Sequence, residues 1–137
     1  PRWFQDTVWQ KAGSQYSAGW FLDLEGNGVA EILTYFTTRD YARIGLYALE
    51  RLAGRSDDAC MNAFLKESAA TKIPKGYWES APYWGLGMHT GSDGNLWFMG
   101  HSGQRIGINL KNNRVVAATG FRDSRARDDL AQELLRK

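Results

Sequence analysis

The stretch from Leu96 to Phe121 constrains the fold more than any other part of the chain. Leu96–Met99 is a short apolar run, which Gly100-His101-Ser102-Gly103 interrupts with two glycines around two polar residues. Arg105–Leu110 then alternates polar or small residues with apolar ones, the period of a strand with one buried face. Lys111-Asn112-Asn113 predicts a turn, because Asn tolerates positive φ and hydrogen-bonds its own backbone. Arg114–Thr119 predicts the returning strand. The two glycines allow two readings. They mark a β-bulge, or they mark a place where a ligand approaches the backbone closely.

A chain of 137 residues is long enough for one domain with a real core. Hydrophobic content of 43% and aromatic content of 13% exclude a disordered chain. The net charge is +2 and the basic residues are scattered, so there is no electrostatic footprint for nucleic acid. The apolar runs are too short to predict a membrane span. The single cysteine, Cys60, excludes an internal disulfide and a cysteine-based metal cage. It lies in a helical pattern with Ala59, Met61 and Phe64, which predicts a packed thiol rather than a nucleophile. Trp3, Phe4, Val8 and Trp9 require apolar partners from the outset, and the expectation is a piece of a longer protein. A leader can lie outside such a piece, so the compartment is not read from the chain itself.

Residues 1–34 lack sustained periodicity and predict loop with short strands, including one over Gly19–Leu24 closed by a turn at Glu25–Gly28. Thr37-Thr38-Arg39-Asp40 opens the clearest helix, with Asp40 in the place of the usual Glu of a capping box. Ala42, Ile44, Leu46, Leu49, Leu52 and Ala53 form its stripe, and Gly54 is a natural C-terminal stop. A second helix is predicted from about Ser56 to Ser68, with Asp57 and Asp58 at its positive end and Ala59, Ala63, Phe64 and Leu65 on its stripe. Thr71–Pro82 reads as linker, and Tyr83–His89 as a strand folded back onto Leu96–Met99 by Gly91–Asn95. Asp123 or Ser124 caps a last helix with Leu130, Leu134 and Leu135 as its buried stripe. The fold class is therefore α+β: three or four antiparallel strands with helices packed on the sheet. No domain boundary is visible within residues 1–137.

The two histidines, His89 and His101, are the groups that titrate near neutrality, but without a matching carboxylate motif they make no metal site. No cofactor fingerprint or phosphate loop is present. Gly-x-Ser-x-Gly and Ser-x-x-Lys are both absent. Asp57, Asp58 and Asp93 fall at cap or turn positions, and Asp23 and Glu25 flank a turn. Six tryptophans can form a stacking platform for sugars or peptides, while Trp20, Trp84 and Trp97 lie in apolar runs that predict core positions.

Two segments together resemble the C-terminal part of the serine β-lactamase and DD-peptidase superfamily, in particular the class C-related hydrolases and esterases that include 6-aminohexanoate-dimer hydrolases. One is Thr37-Thr38-Arg39-Asp40-Tyr41-Ala42-Arg43-Ile44-Gly45, similar to the family's T-x-R-D-x-A-R-F-G helix start. The other is Phe98-Met99-Gly100-His101-Ser102-Gly103-Gln104-Arg105-Ile106, similar to its G-x-x-G-Q-R-I version of the innermost active-site strand. Tyr83-Trp84-Gly85-Leu86-Gly87 resembles the family's preceding Y-G-L-G-W strand. The resemblance covers about residues 14–137.

It implies an antiparallel sheet with helices on both faces, and residues 1–137 as the C-terminal portion of one such domain. It also implies a small amide, ester or lactam substrate, no cofactor, and a periplasmic or secreted location rather than a cytoplasmic one. The family acylates a serine in a Ser-x-x-Lys motif, with a tyrosine as base or proton relay. This chain has neither motif, so the missing N-terminal part of the domain, or a partner chain, is expected to supply them.

What carries over is the strand edge. In the family a Lys/His-Thr/Ser-Gly triplet, or a divergent substitute, lines the site, and the N–H after its glycine completes the oxyanion hole. With Phe98-Met99-Gly100 as the triplet the donor is the N–H of His101, the register the Gly-Gln-Arg-Ile match favours. With His101-Ser102-Gly103 it is the N–H of Gln104. Phe98, Met99, Gly100, Ser102 and Gly103 are then the substrate-binding candidates. His89-Thr90-Gly91 also spells a family-like triplet, but a turn follows it directly. The rival expectation is a non-catalytic binding or structural module that uses its tryptophans.

Overall fold

The computed structural model describes residues 2–29, 34–74, 81–120, 122 and 124–137, with Ser102 described by its backbone. The alternating stretch forms a strand over Arg105–Asn109, but it is buried on both faces rather than on one. The chain is α+β, with a six-stranded antiparallel sheet of order β3-β4-β5-β6-β7-β8. Its strands are β3 (Ile73–Pro74), β4 (Tyr83–Gly85), β5 (Met88–Thr90), β6 (Leu96–Met99), β7 (Arg105–Asn109) and β8 (Arg114–Ala118). Every neighbour in this sheet is also the next strand in sequence, so it is a meander.

Two strands were not foreseen. The predicted Tyr83–His89 strand is two arms of a hairpin, because Leu86 and Gly87 both take positive φ, 43° and 92°. That is the geometry of a two-residue hairpin turn whose twist matches its strands. The predicted linker holds β3, paired with β4 through Ile73↔Trp84 and Pro74↔Tyr83. Pro74-Lys75-Gly76 lies mostly outside the described residues.

Three helices follow the sheet's two faces. α2 (Thr38–Leu52) begins where the sequence predicts, with the Thr37 hydroxyl accepting from the Asp40 N–H. It ends as Gly54 turns to φ 73°. α3 (Ala59–Ala70) starts later than expected, since Asp58 rather than Ser56 takes the N-cap and accepts from the Met61 N–H. The helix packs through Met61, Leu65, Ser68 and Ala69, so Leu65 is buried while Ala59, Ala63 and Phe64 are exposed. Cys60 is exposed too, so the packed-thiol expectation fails. α4 (Arg125–Arg136) is capped by Ser124, whose hydroxyl accepts from the Arg127 N–H. Its buried stripe is Asp128, Ala131 and Leu135, whereas Leu130 and Leu134 are exposed.

The sheet separates two cores. Ala48, Leu49 and Leu52 of α2 and Leu65 of α3 meet Met88, Leu96, Ile106 and Ile108 on one face. Ala131 and Leu135 of α4 meet Trp97 on the other, with Met99 and Val116 beside it. Strand alternation assigns each side chain to its face: Leu96 and Phe98 to the first, Trp97 and Met99 to the second. α2 lies very close to the sheet at Gly45. A Cβ there would stand 2.5 Å from Val115 Cγ1 and 2.7 Å from Ile106 Cγ2, so only glycine fits without displacing the strands.

The N-terminal segment forms a third, smaller cluster. α1 (Arg2–Phe4) runs into a π-helical segment, Gln5–Trp9, where the sequence predicts loop. β1 (Gly19–Trp20) pairs with β2 (Thr34–Tyr35), and a single bridge joins Leu22 to Gly28 around the expected turn. Aromatic packing orders this region: Phe36 stacks on Phe4 at 5.9 Å and touches Trp9 at 4.8 Å and Tyr41 at 5.2 Å. The Tyr47 hydroxyl donates to the Thr7 carbonyl and ties the segment to α2. Of the tryptophans predicted for the core, Trp97 is buried, while Trp20 and Trp84 are half-buried.

Candidate functional site

The candidate loop lies where β6 gives way to β7. The register Met99↔Arg105 leaves Gly100–Gln104 as the connection, and the chain reverses there. The bulge reading therefore gives way to a hairpin loop, because a bulge keeps its strand running in one direction. The Gly100 N–H donates to the Gln104 carbonyl at 2.8 Å and closes the base. His101–Gly103 forms a single 3₁₀ turn above it. Gly103 leaves that turn at φ 92°, a left-handed conformation that favours glycine.

A charged framework holds the loop from behind. Arg105, buried, donates to the carbonyls of Gly100 at 2.9 Å and Gln104 at 3.0 Å. Its Nε faces Asp128 Oδ1 of α4 at 3.4 Å, and Arg127 reaches the same oxygen at 3.7 Å. The Arg127 guanidinium also fills the space that side chains at Gly103 and Gly120 would need. The Gln104 side chain donates to the Gly120 carbonyl at 3.1 Å. Two guanidinium groups and one carboxylate thus sit against the loop in largely buried surroundings, where charge interactions are strongest.

The predicted site residues separate by role. Phe98 packs into the core beneath α2 and Met99 into the core beneath α4, so what they can offer a ligand is backbone. The His101 side chain is exposed, and Gly103 is buried against Arg127. Gly100, His101, Gly103 and Gln104 share one short loop, so both oxyanion registers fall on the same turn. His89 pairs opposite Trp97 and meets the Trp84 ring at 4.7 Å. It is therefore level with the middle of β6, and the two histidines do not form a pair across the hairpin. His89-Thr90-Gly91 ends its strand at Thr90, and the Gly91 N–H donates to Asn95 in the turn. Among the described residues no three His, Cys, Asp or Glu side chains gather as a metal site, and no helix is long and apolar enough to cross a membrane.

Sequence reasoning missed Arg105, Arg127 and Asp128. Their signal was present: Arg125 and Arg127 crowd the first turn of α4, where the helix dipole disfavours cations.

The helix-start motif plays a different part. Asp40 is fully buried and accepts from the Gln15 N–H at 3.0 Å, the Thr37 hydroxyl at 2.8 Å and Arg43 at 2.9 Å. Burial pushes its carboxyl up, but those three donors and the Arg43 charge together hold it below the ordinary value. Among the described residues, no side chain of the motif hydrogen-bonds to the loop. Gly45 instead touches Ile106, the last residue of the second motif. No protein-family model matches the chain, and no curated protein matches it.

Proposed function

We propose that the chain is the C-terminal part of a β-lactamase-like serine hydrolase, contributing the inner strand and part of the oxyanion hole but not the nucleophile. The observation that carries this reading is the contact between the two motifs. Gly45 closes the first, Ile106 closes the second, and α2 meets β7 directly through them. An antiparallel sheet with helices on both faces and a final helix agrees with the fold the resemblance implies.

In this reading a serine from outside residues 1–137 attacks the carbonyl of an amide, ester or lactam, and its proton passes to a neighbouring base. The carbonyl oxygen becomes negative as the tetrahedral intermediate forms. The N–H of His101, or of Gln104, donates to it, and a preorganised donor of this kind contributes about 3–4 kcal/mol of transition-state stabilisation. Gly100 and Gly103 make room for Gln104 and Arg127 behind the loop, which leaves the acyl group to lie along the outer side of the turn, aligned by the backbone of Phe98, Met99 and Ser102. Arg105 supports this function by fixing both ends of the loop.

The test is the complete gene product treated with a fluorophosphonate probe. The expected result is one labelled serine, upstream of Pro1 and followed by Lys three residues later. A reading frame that starts near Pro1, or a complete product that takes no label, overturns the proposal.

A further inference from the structure

Away from this loop, the N-terminal aromatic cluster encloses a pocket of about 440 Å³. That volume lies in the range of small-molecule sites, about 300–1,000 Å³. Phe4, Trp9, Tyr16 and Trp20 form its apolar walls. These rings are held from behind: Phe4 meets Trp20 edge-on at 5.2 Å, and Phe36 backs both Phe4 and Trp9. Gln5, Gln15 and Ser17 add amide and hydroxyl groups, all on exposed residues. Among the described residues no carboxylate, ammonium, guanidinium or imidazole lines the pocket. The carboxylate of Asp40 is buried and takes the Gln15 backbone N–H, so it is committed to the fold.

We infer that this pocket binds a neutral saccharide ring. The inference does not depend on the hydrolase reading. A pyranose has an apolar face of polarised C–H groups, which suits the negative face of an aromatic ring, and a rim of hydroxyls. Each hydroxyl both donates and accepts, and a glutamine amide offers one of each. A neutral lining disfavours charged ligands, since an anion or cation would lose its hydration without a partner. A proline-rich peptide also docks on aromatic grooves, but proline has no N–H, so it leaves the acceptor oxygens of Gln5, Gln15 and Ser17 without donors. The Trp20 indole N–H is already donated to the Val29 carbonyl at 2.8 Å, so this ring offers a stacking surface and not a donor.

The experiment is a titration of the complete gene product with glucose, cellotetraose and maltotetraose, read by tryptophan emission and by saturation-transfer NMR. A polyproline peptide is run in parallel. The expected result is saturable binding of at least one saccharide, with a Kd at or below about 1 mM. Tyr16→Ala removes an exposed wall and Gln5→Ala an exposed amide, so both keep the fold. Tyr16→Ala is expected to weaken binding about fivefold or more, the loss of one ring contact, with unchanged thermal unfolding. Trp9→Ala is less informative, because it also removes packing against Phe36. Absence of saturable binding by all three saccharides at about 10 mM overturns the inference. So does binding of the peptide alone, or saccharide binding that both exposed-wall variants leave unchanged.

Discussion

The helix start at Thr37–Gly45 and the hairpin loop at Gly100–Gln104 are equally conspicuous in sequence, yet the structure uses them in opposite ways. In the helix start, the residues that make the motif recognisable are consumed by packing. Thr37 caps, Asp40 is buried under three donors, and Gly45 lets the helix touch the sheet. In the loop, the fixed groups lie behind. Arg105, Arg127 and Asp128 hold the backbone, while the His101 side chain faces solvent. A recognisable motif is thus no measure of chemistry. A motif whose side chains are all satisfied internally supports a fold, and one whose backbone is held from one side can present donors to a ligand.

The sharpest way to break this comparison is at Gly45. Gly45→Val places methyl groups where Val115 and Ile106 already stand. Overpacking of this kind costs about 3 kcal/mol or more, outweighing the helix propensity gained on replacing glycine. Chemical denaturation should show the loss, and Val115→Ala in the same chain should recover part of it. A loss below about 1 kcal/mol would show that the helix can move off the sheet and that the contact between motifs is soft.

Asp40→Asn comes next. It keeps the size of the side chain but removes the charge that Arg43, the Thr37 hydroxyl and the Gln15 N–H address. The expected cost is about 2–3 kcal/mol, in the range for breaking a buried charged hydrogen-bond set. The pH dependence has a definite sign. The folded carboxyl titrates below the ordinary value of 3.8, so the unfolded chain binds the proton more readily. Its stabilisation is present above 3.8 and is lost as pH falls through the lower folded value. Between neutrality and mild acid the wild-type advantage over Asp40→Asn should stay level, then shrink in the acid limb. An advantage that grows toward low pH would contradict the buried-anion account.

Gly103→Ala moves to the loop. The residue sits at φ 92° with the Arg127 guanidinium where the new methyl would go. Strain at a left-handed position costs about 1–3 kcal/mol, and Gly94→Ala is the control. Gly94 has φ 81° but nothing within 4 Å of its Cβ position. An excess loss at Gly103, measured by thermal unfolding, isolates the contact with Arg127 from backbone strain. Equal losses would mean that the guanidinium simply swings aside.

The legible part of the fold was that in which local signals agree. α2 carries its cap and its terminal glycine where the sequence predicts them, but of its predicted stripe only Leu49 and Leu52 are buried, while Leu46 and Ala53 are exposed and Gly45, Tyr47 and Ala48 face the core instead. β7 alternates although both its faces are buried, because Arg105 and Gly107 face α4, where an ion pair with Asp128 and the close approach of Leu135 take the place of apolar bulk. The illegible parts have particular causes. The turn at Leu86-Gly87 places a leucine at φ 43°, where no turn signal is expected. α4 buries Asp128 and exposes Leu130 and Leu134, since the buried position is taken by an ion pair with Arg105 that no periodicity scan rewards. Cys60 is exposed because α3 packs through Met61, Leu65, Ser68 and Ala69, a face that leaves Cys60 outward. The N-terminal helix forms by aromatic contacts with Phe36, a partner distant in sequence. At the candidate site, the glycine-bounded loop was visible in sequence, but its support comes from α4 and therefore was not.

The smallest effect on stability is expected at His101, and it bears most directly on the loop's role. His101→Ala removes an exposed side chain from the first position of the 3₁₀ turn and should change stability by about 0.5 kcal/mol or less. His101→Pro goes further by removing the N–H itself. Proline is tolerated at the first residue of a helical turn. The preceding Gly100 already has φ −97° and ψ 159°, the extended conformation that a following proline requires. Both variants should therefore fold, and their comparison separates imidazole from backbone. In the complete gene product, His101→Ala should leave the rate of fluorophosphonate labelling close to wild type. His101→Pro should lower it about 100-fold if this N–H is the oxyanion donor. Labelling that survives His101→Pro moves the donor to Gln104. Labelling that His101→Ala abolishes would instead assign the chemistry to the imidazole, and the contrast between side-chain and backbone motifs would fall.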